Sequence, residues 1–327
     1  MIKRFMFLLL AAVSVACTVD ETVDSAKGDP NLTITPESGD PEGIDESVFA
    51  LLNLDYPGLE KVKSFYEEED MYMAAYYLLE YYRSRTEVYN SNPDLVNPTL
   101  TVAEKRIADQ ALEGRFYVKY GGVESVDEVT GIETYWSFLD ADGNVDWTFL
   151  PQGVDYKSEF SYQKNRHQWM LPQAKAYRAT GNEDYFNNWI DSYWSWLEKY
   201  PCPEGKTSQM EWTGLQLSSR ISVQTEILWY YIHSSGFTPA LLTKFLKALY
   251  QHVECQRSNW YNTATSNIRL SQEQAFTIAA IMYPEFAKSE EWLSEGASAI
   301  ANQLETQFLE DGVHNEFDIS YHFGDTG

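Results

Sequence analysis

From Tyr56 onward, apolar and aromatic residues recur at three- and four-residue spacing, with turn signals between the runs and few clean period-two stretches. The pattern predicts helices over 66–82 and 163–180, the latter closed by Gly181 as a C-terminal cap. Asn182 then caps a helix over 183–199 that ends before Pro201, so those two helices form an antiparallel pair. Runs over 213–233 and 239–256 repeat the arrangement, with Thr238 as N-cap and Pro239 at the first helical position. Runs over 266–282 and 289–309 repeat it again, with Pro284 as the break and Ser289 as cap. Residues 115–160 differ: Gly121-Gly122, Asp142-Gly143 and scattered aromatics predict a long irregular insertion holding a short hairpin.

Helical hairpins repeated at this spacing without a short repeat motif predict an all-α fold, an incomplete (α/α) toroid rather than a regular solenoid. Aromatic residues make up 15% of the chain, including 10 Trp and 23 Tyr. Most of these rings belong to packing, and the remainder suit a cleft that stacks on sugars.

The N-terminal segment has a different pattern. Lys3 and Arg4 precede an apolar run over 5–13, too short to anchor stably across a bilayer, and then Ser14-Val15-Ala16-Cys17. This resembles a bacterial lipoprotein leader, with residues 1–16 as signal peptide and Cys17 as the lipidated mature N-terminus. Residues 18–46 carry nine acids and one base, with almost no large apolar side chains, so 17–50 is expected to be an acidic, disordered tether ahead of a domain over 51–327. The expected location is the periplasm or the outer membrane of a Gram-negative bacterium, with the membrane reached only through the lipid.

Charge limits the partners. Among 327 residues, 24 are Lys or Arg and 49 are Asp or Glu, a formal net charge of −25. A nucleic-acid module held by a general basic surface is excluded, and a polyanionic ligand needs a local basic cleft. The three cysteines, Cys17, Cys202 and Cys255, form neither a disulfide framework nor the spacing of a zinc site, so neither redox nor metal chemistry is signalled. No cofactor is required of this segment, and a monomer is expected.

Four polar clusters interrupt the apolar pattern. Asn165-Arg166-His167 stands just inside the helix over 163–180 and either converges on a ligand or bridges neighbouring loops. Arg220, among Leu215, Leu217 and Ile221 and following Glu211-Trp212, is either a clamp for carboxylate or sulfate or half of an internal ion pair. Thr265-Ser266-Asn267-Ile268-Arg269 lies where a loop enters a helix, and Ser and Asn there satisfy free helix N–H groups. The last cluster, 311–322, packs two histidines, an amide, acids and Tyr321 into one loop, a density of titratable groups unusual for a connector.

Three phrases in order, Asn165-Arg166-His167 through Thr180-Gly181, Ser266-Asn267 through Tyr283-Pro284-Glu285-Phe286, and Asp311-Gly312 through Ser320-Tyr321-His322, resemble the heparinase II/III polysaccharide lyases, nearest to the heparinase III type that cleaves heparan sulfate. The resemblance covers residues 50–327 and implies an (α/α) toroid followed, in complete members, by an antiparallel β-sandwich. It places the family's catalytic asparagine on Asn267 and its catalytic tyrosine on Tyr321. Asn165, Arg166, His167, Arg220, Arg269 and His322 are the residues expected to hold an acidic polysaccharide, His322 alternatively orienting Tyr321. Ile268 stands where many relatives have His or Trp, and Gln272 where they have Glu, with Glu273 adjacent. The chain stops six residues after Tyr321, without the β-sandwich or the histidine it contributes, so a truncated chain is expected; whether the missing domain holds a structural metal stays open. An alginate or other polyuronate lyase and a non-catalytic surface glycan-binding lipoprotein are the alternative functions.

Overall fold

A computed structural model describes residues 43–85, 99–118, 135–152, 157–263, 266–310 and 312. The leader, Cys17, most of the tether, Gly121-Gly122, Tyr321 and His322 lie outside the described residues.

The helices are α1 (Glu60–Glu67), α2 (Met71–Ser84), α3 (Val102–Leu112), α4 (Lys157–Lys164), α5 (Met170–Thr180), α6 (Glu183–Lys199), α7 (Gly214–Tyr231), α8 (Pro239–Ser258), α9 (Asn267–Met282) and α10 (Ser289–Gln307). Alternate helices stack side by side, α3 on α5, α5 on α7 and α7 on α9, and α6, α8 and α10 pack outside as hairpin partners of α5, α7 and α9. This is the toroidal arrangement expected from the sequence. α7 is enclosed on most sides, so it buries polar residues such as Arg220, Gln224 and Thr225 together with Leu217, Ile221, Ile227, Leu228 and Trp229. α6 is amphipathic instead, turning Trp189, Tyr193 and Trp196 inward at positions four and three residues apart. Strand among the described residues is a two-stranded antiparallel pair, β1 (Arg115–Tyr117) with β2 (Tyr135–Ser137), registered Phe116 opposite Trp136.

Several caps stand where the sequence puts them. Gly181 closes α5 at φ 71°, a left-handed conformation that glycine adopts without steric cost. The Asn182 side chain accepts from the Asp184 N–H, and that of Thr238 from the Leu241 N–H. Other expectations need correction. The helix over 66–82 is broken at 68–70, where Glu69 has φ 61° and Asp70 restarts the chain by accepting from the Met73 N–H. The helix over 163–180 is broken between α4 and α5, because His167 stands at φ 57°, which a right-handed helix cannot continue. Ser289 does not cap α10: its hydroxyl donates to the Ala280 carbonyl at 2.7 Å.

The packed body also begins before residue 51. Val48 and Phe49 are buried in a 3-10 turn over Glu46–Leu51, and Asp45 pairs with Lys247 at 2.7 Å. Apolar side chains at 48 and 49 supply what the acidic stretch before them lacks. The same segment clasps the α9–α10 connection: Asn53 N–H donates to Glu285 O at 2.7 Å and Ala287 N–H to Leu51 O at 2.9 Å. Glu285, buried there, also accepts from Tyr81 and pairs with Arg85, both at 2.6 Å.

Candidate functional site

The break between α4 and α5, the segment preceding α7, the end of α8 and the start of α9 converge on a cleft of about 880 Å³. Its lining includes Glu159, Tyr162 and Arg166 on one side, Lys206, Thr207, Ser208 and Met210 on another, and Arg257 to Asn262 with Ile268 opposite.

Asn267 is the first residue of α9. Ser266 caps the helix by accepting from the Arg269 N–H at 3.2 Å, which leaves Asn267 free of that task. Its Oδ1 accepts from the Ile268 N–H at 2.8 Å, and its Nδ2 has no partner among the described residues. The carboxamide is partly exposed, and the next residue, Ile268, lines the cleft while Asn267 itself does not. Arg269 is held differently. It pairs with Glu273 at 2.6 Å and lies 4.4 Å over the ring of Trp260, so it fixes that cleft-lining indole rather than reaching into the cleft itself.

The Asn165-Arg166-His167 turn divides its three side chains. Arg166 lines the cleft, and its nearest carboxylate, Glu159, is 3.9 Å away. Burial pulls its pKa down, and its Nε is buried with no partner, so part of its donor set is unspent. Asn165 and His167 face the core, contrary to expectation. Asn165 Nδ2 donates to Ser161 O at 2.8 Å and its Oδ1 accepts from Trp196 Nε1 at 2.8 Å. His167 is enclosed by the rings of Trp147, Trp169, Tyr193 and Trp196, and desolvation holds its pKa well below the usual histidine value. A neutral imidazole packed among rings is a core residue rather than a substrate ligand.

Arg220 is neither a sulfate clamp nor an ion pair. It is fully buried and donates to the carbonyls of Asn165 at 2.8 Å, Gln216 at 3.2 Å and Glu211, while its guanidinium lies 4.1 Å over the Trp196 ring. Desolvation draws its pKa down to about 9, which keeps it charged at neutral pH. Its work is to bind the α4–α5 break and the 3-10 turn over Met210–Trp212 to α7, beneath the cleft.

Lys206, Arg257, Trp260 and Tyr261 were not singled out by the sequence. Arg257 lines the cleft but is bound by Glu254, Glu291 and Glu295, which cancel its charge locally. Lys206 is exposed and has no ion pair among the described residues. Against a chain of net charge −25, Lys206 is the cation of this cleft without an ion pair among the described residues, Arg166 being offset in part by Glu159, and Trp260 and Tyr261 add aromatic surface. The one available signal was Trp260-Tyr261 following the polar end of α8 in a connection too short for a domain core.

The chain is similar to a heparin-sulfate lyase of Bacteroides thetaiotaomicron, 36% identical over 327 residues, which takes in 98% of this chain and 45% of the relative. It is 26% identical over 281 residues to a heparin-sulfate lyase of Pedobacter heparinus, covering 84% of this chain and 40% of that one. A crystal structure of heparinase III superposes with a TM-score of 0.77 at 38% identity, over 86% of this chain and 42% of that chain. The chain thus spans less than half the length of the curated relatives it matches. Residues 48–326 match the family described as heparinase II/III N-terminus, and the chain belongs to that family.

Proposed function

We propose that the protein is a polysaccharide lyase that cleaves heparan sulfate, or a similar uronic-acid glycosaminoglycan, by β-elimination. The observation that carries this reading is a cleft lined by Arg166, Lys206 and Trp260 in a strongly acidic chain, with the partly exposed Asn267 next to the lining residue Ile268. The heparin-sulfate lyase relatives support the same substrate class.

A uronate C5 proton is too weakly acidic to remove while the neighbouring carboxylate keeps its full charge. Asn267 Nδ2 donates to that carboxylate and stabilises the enediolate that forms as the proton leaves. Tyr321 moves the proton, taking it from C5 or returning one to the departing glycosidic oxygen. Carbon–oxygen cleavage leaves an unsaturated uronate, and no water is consumed. Arg166 and Lys206 hold sulfate or carboxylate groups, Arg166 with its paired N–H donors. Trp260, fixed by Arg269, gives a sugar ring a flat apolar face. The protein acts after export, anchored through lipid on Cys17.

The test is performed on the full-length product of the gene. Heparan sulfate should yield ultraviolet-absorbing unsaturated products, and Asn267→Ala should lose about a hundred- to a thousandfold in kcat with the fold intact. Products lacking the unsaturated bond would replace this reading with a hydrolase, and preferential turnover of alginate would replace the substrate.

A further inference from the structure

The segment between α6 and α7 forms one wall of the cleft through Lys206, Thr207 and Met210, and the end of α8 forms the facing wall. Asn259 ties the two together: its Nδ2 donates to Gly205 O at 2.9 Å, and its Oδ1 accepts from the Thr207 N–H at 2.7 Å. A second tie involves sulfur. Cys202 Sγ lies 3.7 Å from the Gln251 carbonyl on α8, and Cys255 is one turn further along the same helix. The Gln251 carbonyl points along α8 toward residue 255, so Cys202 sits over the turn that carries Cys255, whose sulfur Asn259 Nδ2 approaches to 3.6 Å. Both are free thiols, Cys202 partly exposed and Cys255 buried.

We propose that Cys202 and Cys255 form a disulfide when the chain meets an oxidant of the disulfide class, and that this bond staples the Lys206 wall of the cleft to α8. The inference does not rest on lyase activity. It also revises the expectation that the cysteines carry no redox chemistry: their spacing in the sequence fits no motif, but the α6–α7 connection folds back across α8 and brings them together.

Access sets the order of steps. Cys202, the partly exposed sulfur, loses its proton and attacks the external disulfide, releasing one thiolate and leaving a mixed disulfide. Cys255 then attacks the Cys202 sulfur, loses its own proton, and expels the second external thiolate. Two protein thiols are oxidised and one external disulfide is reduced to two thiols. The neighbouring Cys202 thiol, the Arg220 charge and the Asn259 amide pull the Cys255 pKa down in the reduced pair, while Cys255 and burial push that of Cys202 up.

The chain is incubated with oxidised glutathione, denatured, alkylated and digested without reductant. The expected product is a Cys202 peptide joined to a Cys255 peptide, absent after dithiothreitol and absent from Cys202→Ser. Because the cross-link is read on the unsubstituted chain, a folding defect in the variant leaves the assay intact. The oxidised chain should also melt about 5 °C higher than the reduced chain, since the bond closes a loop of roughly fifty residues. Recovery of both cysteines alkylated, or each carrying glutathione separately, would overturn the proposal. A cross-link with unchanged Tm would overturn the stapling role.

Discussion

The guanidinium of Arg220 donates to the backbone carbonyl of Asn165 at 2.8 Å, so two residues expected to grip substrate grip each other instead. This contact sits under the α4–α5 break, the point where the backbone turns Arg166 toward the cleft and Asn165 and His167 toward the core. Arg220 therefore shapes the site from below without touching what enters it.

Arg220→Met should show this as lost stability. The carbonyls of Asn165 and Glu211 would lose a charged donor, and that of Gln216, which also serves the helix, would lose its second. Removing donors to buried acceptors costs about 1–3 kcal/mol for each group left unsatisfied, so a total of about 3 kcal/mol is expected. Urea denaturation measures it. A variant as stable as the parent, with weakened polysaccharide binding, would return Arg220 to the role of ligand.

The toroid was legible in the sequence because its signals are local. Gly181, Asn182 and Thr238 cap helices through hydrogen bonds to residues two to four positions away, and three- and four-residue spacing records which face is covered. The breaks at Glu69 and His167 fall in polar stretches, 67–70 and 163–168, which a solvent-facing turn of unbroken helix also produces, so the pattern does not record the positive φ at either. At the site, residue type identified Arg166 but could not separate it from its neighbours: one reversed backbone torsion sends Arg166 and His167 opposite ways. Lys206 and Arg257 come from separate segments that only the tertiary fold assembles.

The buried histidines predict acid lability with a definite sign. His252 is enclosed beside Arg220 and the rings of Trp196 and Trp212, and desolvation brings its pKa down to about 3. In the folded chain it stays neutral, whereas the unfolded chain takes up a proton below about 6.5. Its stabilising contribution is thus complete above that pH and is lost as pH falls toward 3, at about 1.4 kcal/mol per pH unit. His167 adds to the same slope. Between pH 6.5 and 5, above most of the carboxylate range, His252→Gln should flatten the dependence of unfolding free energy on pH by close to one proton. An unchanged slope would mean that His252 titrates in the folded state.

Gly296 lets α10 lie close against α9. A Cβ there would stand 2.1 Å from Thr277 Oγ1 and 3.2 Å from Thr277 Cβ, and the threonine is held by its bond to Glu273 O at 2.7 Å. In an open helix, Gly→Ala adds about 1 kcal/mol of stability. Here overpacking of about 1–3 kcal/mol opposes that gain, so Gly296→Ala should be neutral to destabilising. Thr277→Ala removes the hydroxyl, and the double variant should recover part of the loss in thermal melting. A clear rise in Tm for Gly296→Ala alone would show that the two helices separate without cost.

Lys206 and Arg257 both line the cleft, but substituting them should have different consequences. Arg257 is neutralised by Glu254, Glu291 and Glu295 and helps join α8 to α10, so Arg257→Ala should lower stability and leave the salt dependence of binding nearly intact. Lys206 has no such partner among the described residues, and its exposed ammonium attracts a polyanion through a field that salt screens. Lys206→Ala should therefore raise KM for heparan sulfate several-fold at low ionic strength, with kcat within about twofold, because the lost contact serves ground and transition states alike. The difference from the parent should shrink as salt is added. Steady-state kinetics at two ionic strengths distinguish the cases: a fall in kcat at constant KM would place Lys206 at the reacting sugar, and no change in either would remove it from the binding surface.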